Sequence, residues 1–456
     1  MKITAIQLEE LPYHPDSCAL FERVKQLPGA FFLDSGYPHS RAGRFDIIAA
    51  DPSVDLSINC LNTDTYDSID KYFQDIAQLH SERCAGLVAP TGDIPFCGGV
   101  AGYLNYELGK PLQHLATPAQ LGASLYFYDW AVIQDHLLNR CVFVALPSLA
   151  ASRRRELMAL LQEPVQDSPQ DSFQLLEPFQ SNMDRRQYRA AFEQIQRYIT
   201  AGDCYQVNLA QRFSSRFEGD PWQAYRRLRA VAGAPFSGFM HSTADQQLLC
   251  LSPERFLKLS GQHVETRPIK GTSPRHSDPV ADQQAAEQLQ QSIKDRAENL
   301  MIVDLLRNDL GKNCVPGSIQ VDRLFELESY PTVHHLVSTI SGELLPQRTA
   351  FDLLRDSFPG GSITGAPKRR AMQIIDELEP NTRQAYCGSL LYISADGRMD
   401  SNIAIRSLLC EGDTIHCWGG GGIVADSQWQ QEHQETLDKV GRFLSELETT
   451  LSQSTG

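Results

Sequence analysis

The chain has 456 residues, with 41 Lys and Arg against 56 Asp and Glu and a formal net charge of −15. Proteins that grip nucleic-acid backbone or an anionic membrane need a basic surplus, so this balance argues against both. An apolar fraction of 42% is ample for a large core, while no window reaches the ~18 apolar residues of a membrane span and Met1 to Glu10 lacks the order of a signal peptide.

The first 162 residues read as a strand-rich region. Phe31 to Leu33, Arg44 to Ala50, Leu125 to Val132 and Cys141 to Leu146 are short β-branched or aromatic runs bounded by turn residues. Residues 163–182 carry EPVQDSPQDS and the second Glu-Pro, Glu177-Pro178, and read as a linker before the region 183–456. Ser181-Asn182 can cap a helix whose apolar residues Tyr188, Phe192, Ile195 and Ile199 share one face, and Gly202 ends it. Strands are predicted for Tyr205 to Phe213, Leu248 to Leu251, Phe256 to Leu259, Gly388 to Ile393, Asn402 to Leu409 and Thr414 to Trp418. Long helices are predicted from about Val280 to Arg307 and from about Trp429 to Leu451. The order lacks a βαβ rhythm, so the fold class is α+β with mostly antiparallel strands.

Chemistry-bearing residues fall in four places. Asp295 and Glu298 in KDRAENLMIVD, and Glu432 and Glu435 in QEHQETLDK, are i, i+3 pairs that share a helix face. They are either solvated surface or, brought together, oxygen ligands for a hard cation such as Mg²⁺. The run Pro359 to Lys368 (PGGSITGAPK) is either an ordinary turn into a helix or a glycine cradle for an anion. It lacks the order of a nucleotide-binding P-loop. Gly419 to Gly422 is a strand end meeting a ligand or a structural bulge, because too little chain follows for a dinucleotide-binding unit. Lys270 in RPIKGT, preceded by SPERF around Glu254, is either a surface charge or an amine whose pKa burial lowers to make it a nucleophile. The eleven cysteines are scattered singly without a C-x-x-C pair, which fits reduced thiols in a cytoplasm and offers no zinc site.

Taken in order, FCGGVAGYLNYELG, GDCYQVNLAQRF, SPERF, RPIKGT, KDRAENLMIVDLLRNDLG, VHHLVSTI, PGGSITGAPK and GGGIVADSQWQQEHQET resemble the chorismate-utilising enzymes, the family of the anthranilate, isochorismate and salicylate synthases, over nearly the whole chain. The resemblance implies two large antiparallel sheets packed as a sandwich with helices outside, the N-terminal region contributing to the same assembly. It implies Mg²⁺ on Glu298 and Glu435, with Asp295 and Glu432 acting through water; anthranilate synthases usually have Glu where this chain has Asp295. Chorismate would place one carboxylate on the metal and the other on Arg406, Tyr392 and N–H groups near Gly420 and Gly422. Thr272 and Lys368 complete the substrate contacts, and Thr364 and His335 match positions near the ring, His334 being structural.

Isochorismate-forming relatives carry a lysine base where this chain has Gln206, and anthranilate synthases typically read PIAGT where it has PIKGT. Lys270 therefore resembles the branch that aminates C4 of chorismate on the way to 4-aminobenzoate and folate, with Lys270 attacking C2 and Glu254 as proton donor. Two rivals are anthranilate formation and a non-catalytic tryptophan-binding scaffold. The chain lacks the G-x-C-x-G of class I glutaminases, Cys204 being its nearest approach, so a separate glutaminase subunit is expected. Family members also hold tryptophan remote from the reaction centre, and the matching residues are Ser35, Arg44, Phe45, Pro235, Phe236 and Ser237.

Overall fold

The computed structural model describes residues 4–40, 43–60, 68–163, 172–243, 245–330, 333–449 and 451. Two antiparallel sheets of 13 and 10 strands dominate it. The larger strings together strands from both ends of the chain: Phe31–Asp34 pairs with Phe236–Thr243, and Gln206–Gly219 pairs with Thr414–Ile423. The smaller does the same, pairing Gly99–Leu104 with Ser389–Ser394. Regions 1–162 and 183–456 thus interleave in both sheets. Within residues 163–182, Phe173–Leu175 and Gln180–Ser181 are strands on Gln206–Gly219, Phe173 and Leu175 being buried; residues 164–171 lie outside the described residues.

Alternation along single strands explains the unbroken apolar runs. Phe31, Ile47 and Leu248 join Val100, Leu125 and Leu391 in the core between the two sheets. Their neighbours Phe32, Ile48 and Leu249 face the other way, onto Phe21, Trp222, Tyr225 and Phe443 beneath the outer helices. A period of two with both faces buried produces a continuous hydrophobic string rather than an in–out pattern. Among the described residues no helix is long and apolar enough to cross a membrane.

Three local departures from the sequence reading position the site. The helix expected over Val280 to Arg307 is two helices, Pro279–Gln291 and Ile293–Gly311, broken at Ser292. That residue is extended, and its side chain accepts from the Asp295 backbone N–H at 3.2 Å. Lys294, Asp295 and Glu298 therefore stand in the first two turns of a new helix, whose N-terminal dipole favours carboxylates. The expected strand Asn402 to Leu409 is likewise two, Met399–Asn402 in the smaller sheet and Ser407–Glu411 in the larger. Residues 403–406 carry the chain between sheets, and Arg406 takes a left-handed φ of 51° there. The helix cap expected at Ser181-Asn182 is instead Asp184, which forms a capping box with Gln187 at the start of Arg185–Thr200.

Candidate active site

Lys270 lies in the strand Ile269–Pro274, whose register against Val333–Glu343 shifts between Ile269 and Thr272. This irregularity re-aims the side chain out of the ladder. Gly271, at φ +88°, makes it possible, since a Cβ there would stand 3.0 Å from both Leu289 and Asp295. Lys270 Nζ donates to the Ser362 carbonyl at 2.9 Å, and Ser362 Oγ donates to Glu254 Oε1 at 2.7 Å. One loop residue thus joins the amine to the carboxyl. Glu254 sits in the turn between Gln246–Ser252 and Arg255–Ser260, held by its N–H donating to Ser252 Oγ.

The electrostatics of this pair run in opposite directions for one reason. Burial pulls the Lys270 pKa below the usual lysine value although Glu298 and Glu254 pull it up. Burial also raises the Glu254 carboxyl, against the Ser362 hydrogen bond and Lys270. Desolvation penalises whichever form is charged, so a neutral amine and a neutral acid are both favoured here.

Thr272 and His335 lie opposite each other across two strands, with Thr272 Oγ1 and His335 Nδ1 2.9 Å apart. Burial, and then the charge of Arg406, push His335 down to about 3, so it is neutral near pH 7. Burial lowers the pKa of Arg406 too, and its guanidinium has no hydrogen-bond or ion-pair partner among the described residues. A desolvated cation lacking a counter-ion is poised for an anionic group. Thr364 is fully buried, and its hydroxyl is directed to the Gly360 and Gly361 carbonyls at 3.1 and 3.3 Å, which closes the PGGSITG loop on itself.

The glycine strand Thr414–Ile423 lies against the C-terminal helix Trp429–Glu448. A Cβ on Gly421 would stand 3.1 Å from Glu432 Oε2 and 3.6 Å from Glu435 Oε1, so the bare backbone gives these carboxylates their place. Glu432 is 2% exposed and accepts from Ser427 Oγ at 2.6 Å. Facing it across the two helices is Glu298, with the Lys294 ammonium 3.5 Å from Glu432 Oε1 and 3.8 Å from Glu298 Oε1. Burial raises both Glu298 and Glu432. Burial would raise Glu435 as well, but Lys439 at 2.6 Å overrides it and holds it low; Lys439 also donates to the Gly420 carbonyl at 2.8 Å. Among the described residues no three acidic, His or Cys side chains already form a ligand shell. The donors are nonetheless all carboxylate oxygens with cationic neighbours, a set that suits a hard divalent ion. Asp295 stands apart, its Cβ and Cγ against Gly271.

Gln206 is fully buried with neither amide atom hydrogen-bonded, and it presses on Gly422, where a Cβ would lie 2.3 Å from Gln206 Nε2. Gly420 and Gly422 pair with Ala210 and Asn208 in the same ladder.

Two expected substrate contacts are not brought here. Lys368 is 7% exposed and its ammonium is taken by Asp309 Oδ2 at 2.6 Å and the Ser357 carbonyl at 2.8 Å. Its charge is spent on anchoring the helix Lys368–Leu378. Tyr392 lies on the opposite side of its strand: it packs on Phe96 and lines a separate cavity of about 340 Å³. That cavity is bounded by all six residues Ser35, Arg44, Phe45, Pro235, Phe236 and Ser237. Sequence reasoning missed Ser362 and Lys294 as site residues, although both lie within blocks it had singled out.

The model of the chorismate binding enzyme family matches residues 30–445. Aminodeoxychorismate synthase component 1 of Salmonella typhimurium is 45% identical over 98% of this chain and 100% of its own length. Among solved structures, anthranilate synthase component I from Streptococcus pneumoniae matches with a TM-score of 0.72 and 29% identity, covering 89% of this chain and 93% of that one. The menaquinone-specific isochorismate synthase MenF of Escherichia coli has a TM-score of 0.75 at 19% identity, covering 97% and 94%, and at that identity shows the shared fold.

Proposed function

This chain belongs to the chorismate binding enzymes, and from that premise we propose that it aminates chorismate to 4-amino-4-deoxychorismate on the route to 4-aminobenzoate and folate. The observation that carries the reading is Lys270, half-buried with its pKa lowered, joined through Ser362 to a buried Glu254 whose pKa is raised. A nucleophilic amine and a general acid in one dry pocket are what the displacement of a hydroxyl asks for.

In the proposed sequence, neutral Lys270 Nζ bonds to C2 as the ring double bonds shift and the C4–O bond breaks, with Glu254 donating its proton so that water leaves. Ammonia then bonds to C4, the double bonds shift back, and the C2–N bond breaks to release Lys270 as a neutral amine. The product ammonium returns a proton to Glu254, restoring the acid. The sum is chorismate plus ammonia giving 4-amino-4-deoxychorismate plus water. Arg406 holds one substrate carboxylate by supplying the missing counter-charge, with N–H groups near Gly420 and Gly422 beside it. Thr272 and His335 order the wall next to it, and the loop containing Thr364 closes over the ring. Glu298 and Glu435, with Glu432 behind them, would hold Mg²⁺, which when bound supplies positive charge against the other carboxylate; Asp295 stands outside this cluster, against Gly271.

Ammonia is taken to come from glutamine through a separate subunit, in keeping with the words "component 1" in the relative's name. Burial raises the thiol pKa of Cys204, which disfavours the thiolate a glutaminase needs. The 340 Å³ cavity is proposed to hold L-tryptophan, since the six matching residues all line it; a calorimetric titration that shows no binding would remove that assignment. The deciding experiment for the activity is product analysis with chorismate, Mg²⁺ and ammonium. Aminodeoxychorismate without pyruvate is expected, whereas anthranilate and pyruvate would establish the rival reaction.

A further inference from the structure

We propose that Lys294 is the built-in counter-cation of the metal site, neutralising Glu298 and Glu432 when no divalent ion is bound and withdrawing when one enters. The inference rests on the metal reading above and adds a residue that governs ion affinity. Lys294 belongs to the first turn of Ile293–Gly311, one turn before Glu298. Its Nζ is the group that spans the two helices, 3.8 Å from Glu298 Oε1 and 3.5 Å from Glu432 Oε1. Those carboxylates are 15% and 2% exposed, so without a cation between them each would face the other's charge with little water to screen it.

The lysine itself is built to leave. Its side chain is 48% exposed, on a flexible four-carbon stem, and the preceding Ile293 is 87% exposed. Lys368 is the contrast within the same chain: 7% exposed, and fixed by a carboxylate and a carbonyl. A divalent ion and the Lys294 ammonium compete for the Glu298 carboxylate, and for Glu432 the ammonium competes with the water through which that residue would reach the ion. Ion binding is then an exchange of cations, and the observed affinity is the intrinsic one reduced by the fraction of protein in which Lys294 occupies the site.

The test uses the full chain stripped of metal, with Mn²⁺ binding followed by electron paramagnetic resonance and Mg²⁺ binding by competition. Lys294→Gln is expected to bind Mn²⁺ about five- to tenfold tighter than the parent, the scale left to a solvent-screened ammonium with two partners. Arg307→Gln removes the same charge about 20 Å along the same helix and should leave the affinity within about twofold. Metal-free Lys294→Gln should also melt below the parent, and saturating Mg²⁺ should erase the difference. Unchanged or weaker Mn²⁺ binding by Lys294→Gln overturns the exchange. A flat Mn²⁺ titration of the parent protein overturns the metal assignment and this proposal with it, and is told apart by the parent curve alone.

Discussion

Ser362→Ala isolates the acid from the nucleophile. The substitution removes only the hydroxyl that donates to Glu254 Oε1 at 2.7 Å and keeps the backbone carbonyl that accepts from Lys270 Nζ at 2.9 Å. Both partners are buried, Ser362 at 5% and Glu254 at 4% exposure, so the bond acts with little competition from water. A hydrogen bond to a charged group is worth about 1.5–3 kcal/mol, or about one to two pKa units at 1.36 kcal/mol each. The neutral acid keeps part of the contact, which leaves a net rise of about one unit for Glu254. The sign is fixed: the hydroxyl favours the carboxylate, so its loss raises a pKa that burial has already raised. Glu254 must be protonated to donate, so the alkaline limb of adduct formation should move to higher pH by about one unit. Quenched single-turnover reactions without ammonia, read by intact-protein mass at Lys270, measure that limb free of the titration of ammonia. An unmoved limb, or one shifted to lower pH, would refute the assignment of Glu254 as the acid.

Further expectations follow from the same geometry. Arg406→Gln should raise the KM for chorismate at least about tenfold while leaving the Tm of the free protein unchanged or higher, because the guanidinium removed is a half-buried, partly desolvated charge without a partner among the described residues; an unaltered KM would take Arg406 out of the substrate site. Lys368→Met should destabilise the fold by up to about 3 kcal/mol by leaving buried Asp309 with only the more exposed Lys312 as counter-ion, and Lys368→Met/Asp309→Leu should recover much of it. A parent-like melt with a raised KM would restore Lys368 to the substrate. Glu298→Gln and Glu435→Gln should each raise the Mg²⁺ needed for half-maximal rate by about tenfold or more, and Glu432→Gln by less; equal and negligible effects in titrations of rate against Mg²⁺ would remove these residues from the metal site.

Much of this molecule is written locally. The strands of the core are legible because apolar side chains recur at a period of two, and the acidic pairs because i and i+3 share a helix face wherever the helix packs. Lys270, Glu254 and the glycine loop stand in motifs whose order along the chain marks the family. Other features depend on contacts no local pattern encodes. Ser362 touches Glu254 across 108 positions and Lys270 across 92. Lys368 sits beside the glycine loop in sequence, yet Asp309, 59 positions away, claims its charge. Tyr392 shares a strand with buried neighbours, and only the pairing register decides which cavity it faces, because a shift of one residue reverses every side chain. Lys294 reads as one more surface lysine until two helices from distant parts of the chain set carboxylates on either side of it. Sequence alone determined the family, the alternation of the strands and the residue types the chemistry requires. Tertiary structure decided which charges meet and which are left unpaired, because Coulomb and desolvation energies depend on distance and burial, quantities that exist only once the two sheets have closed on each other.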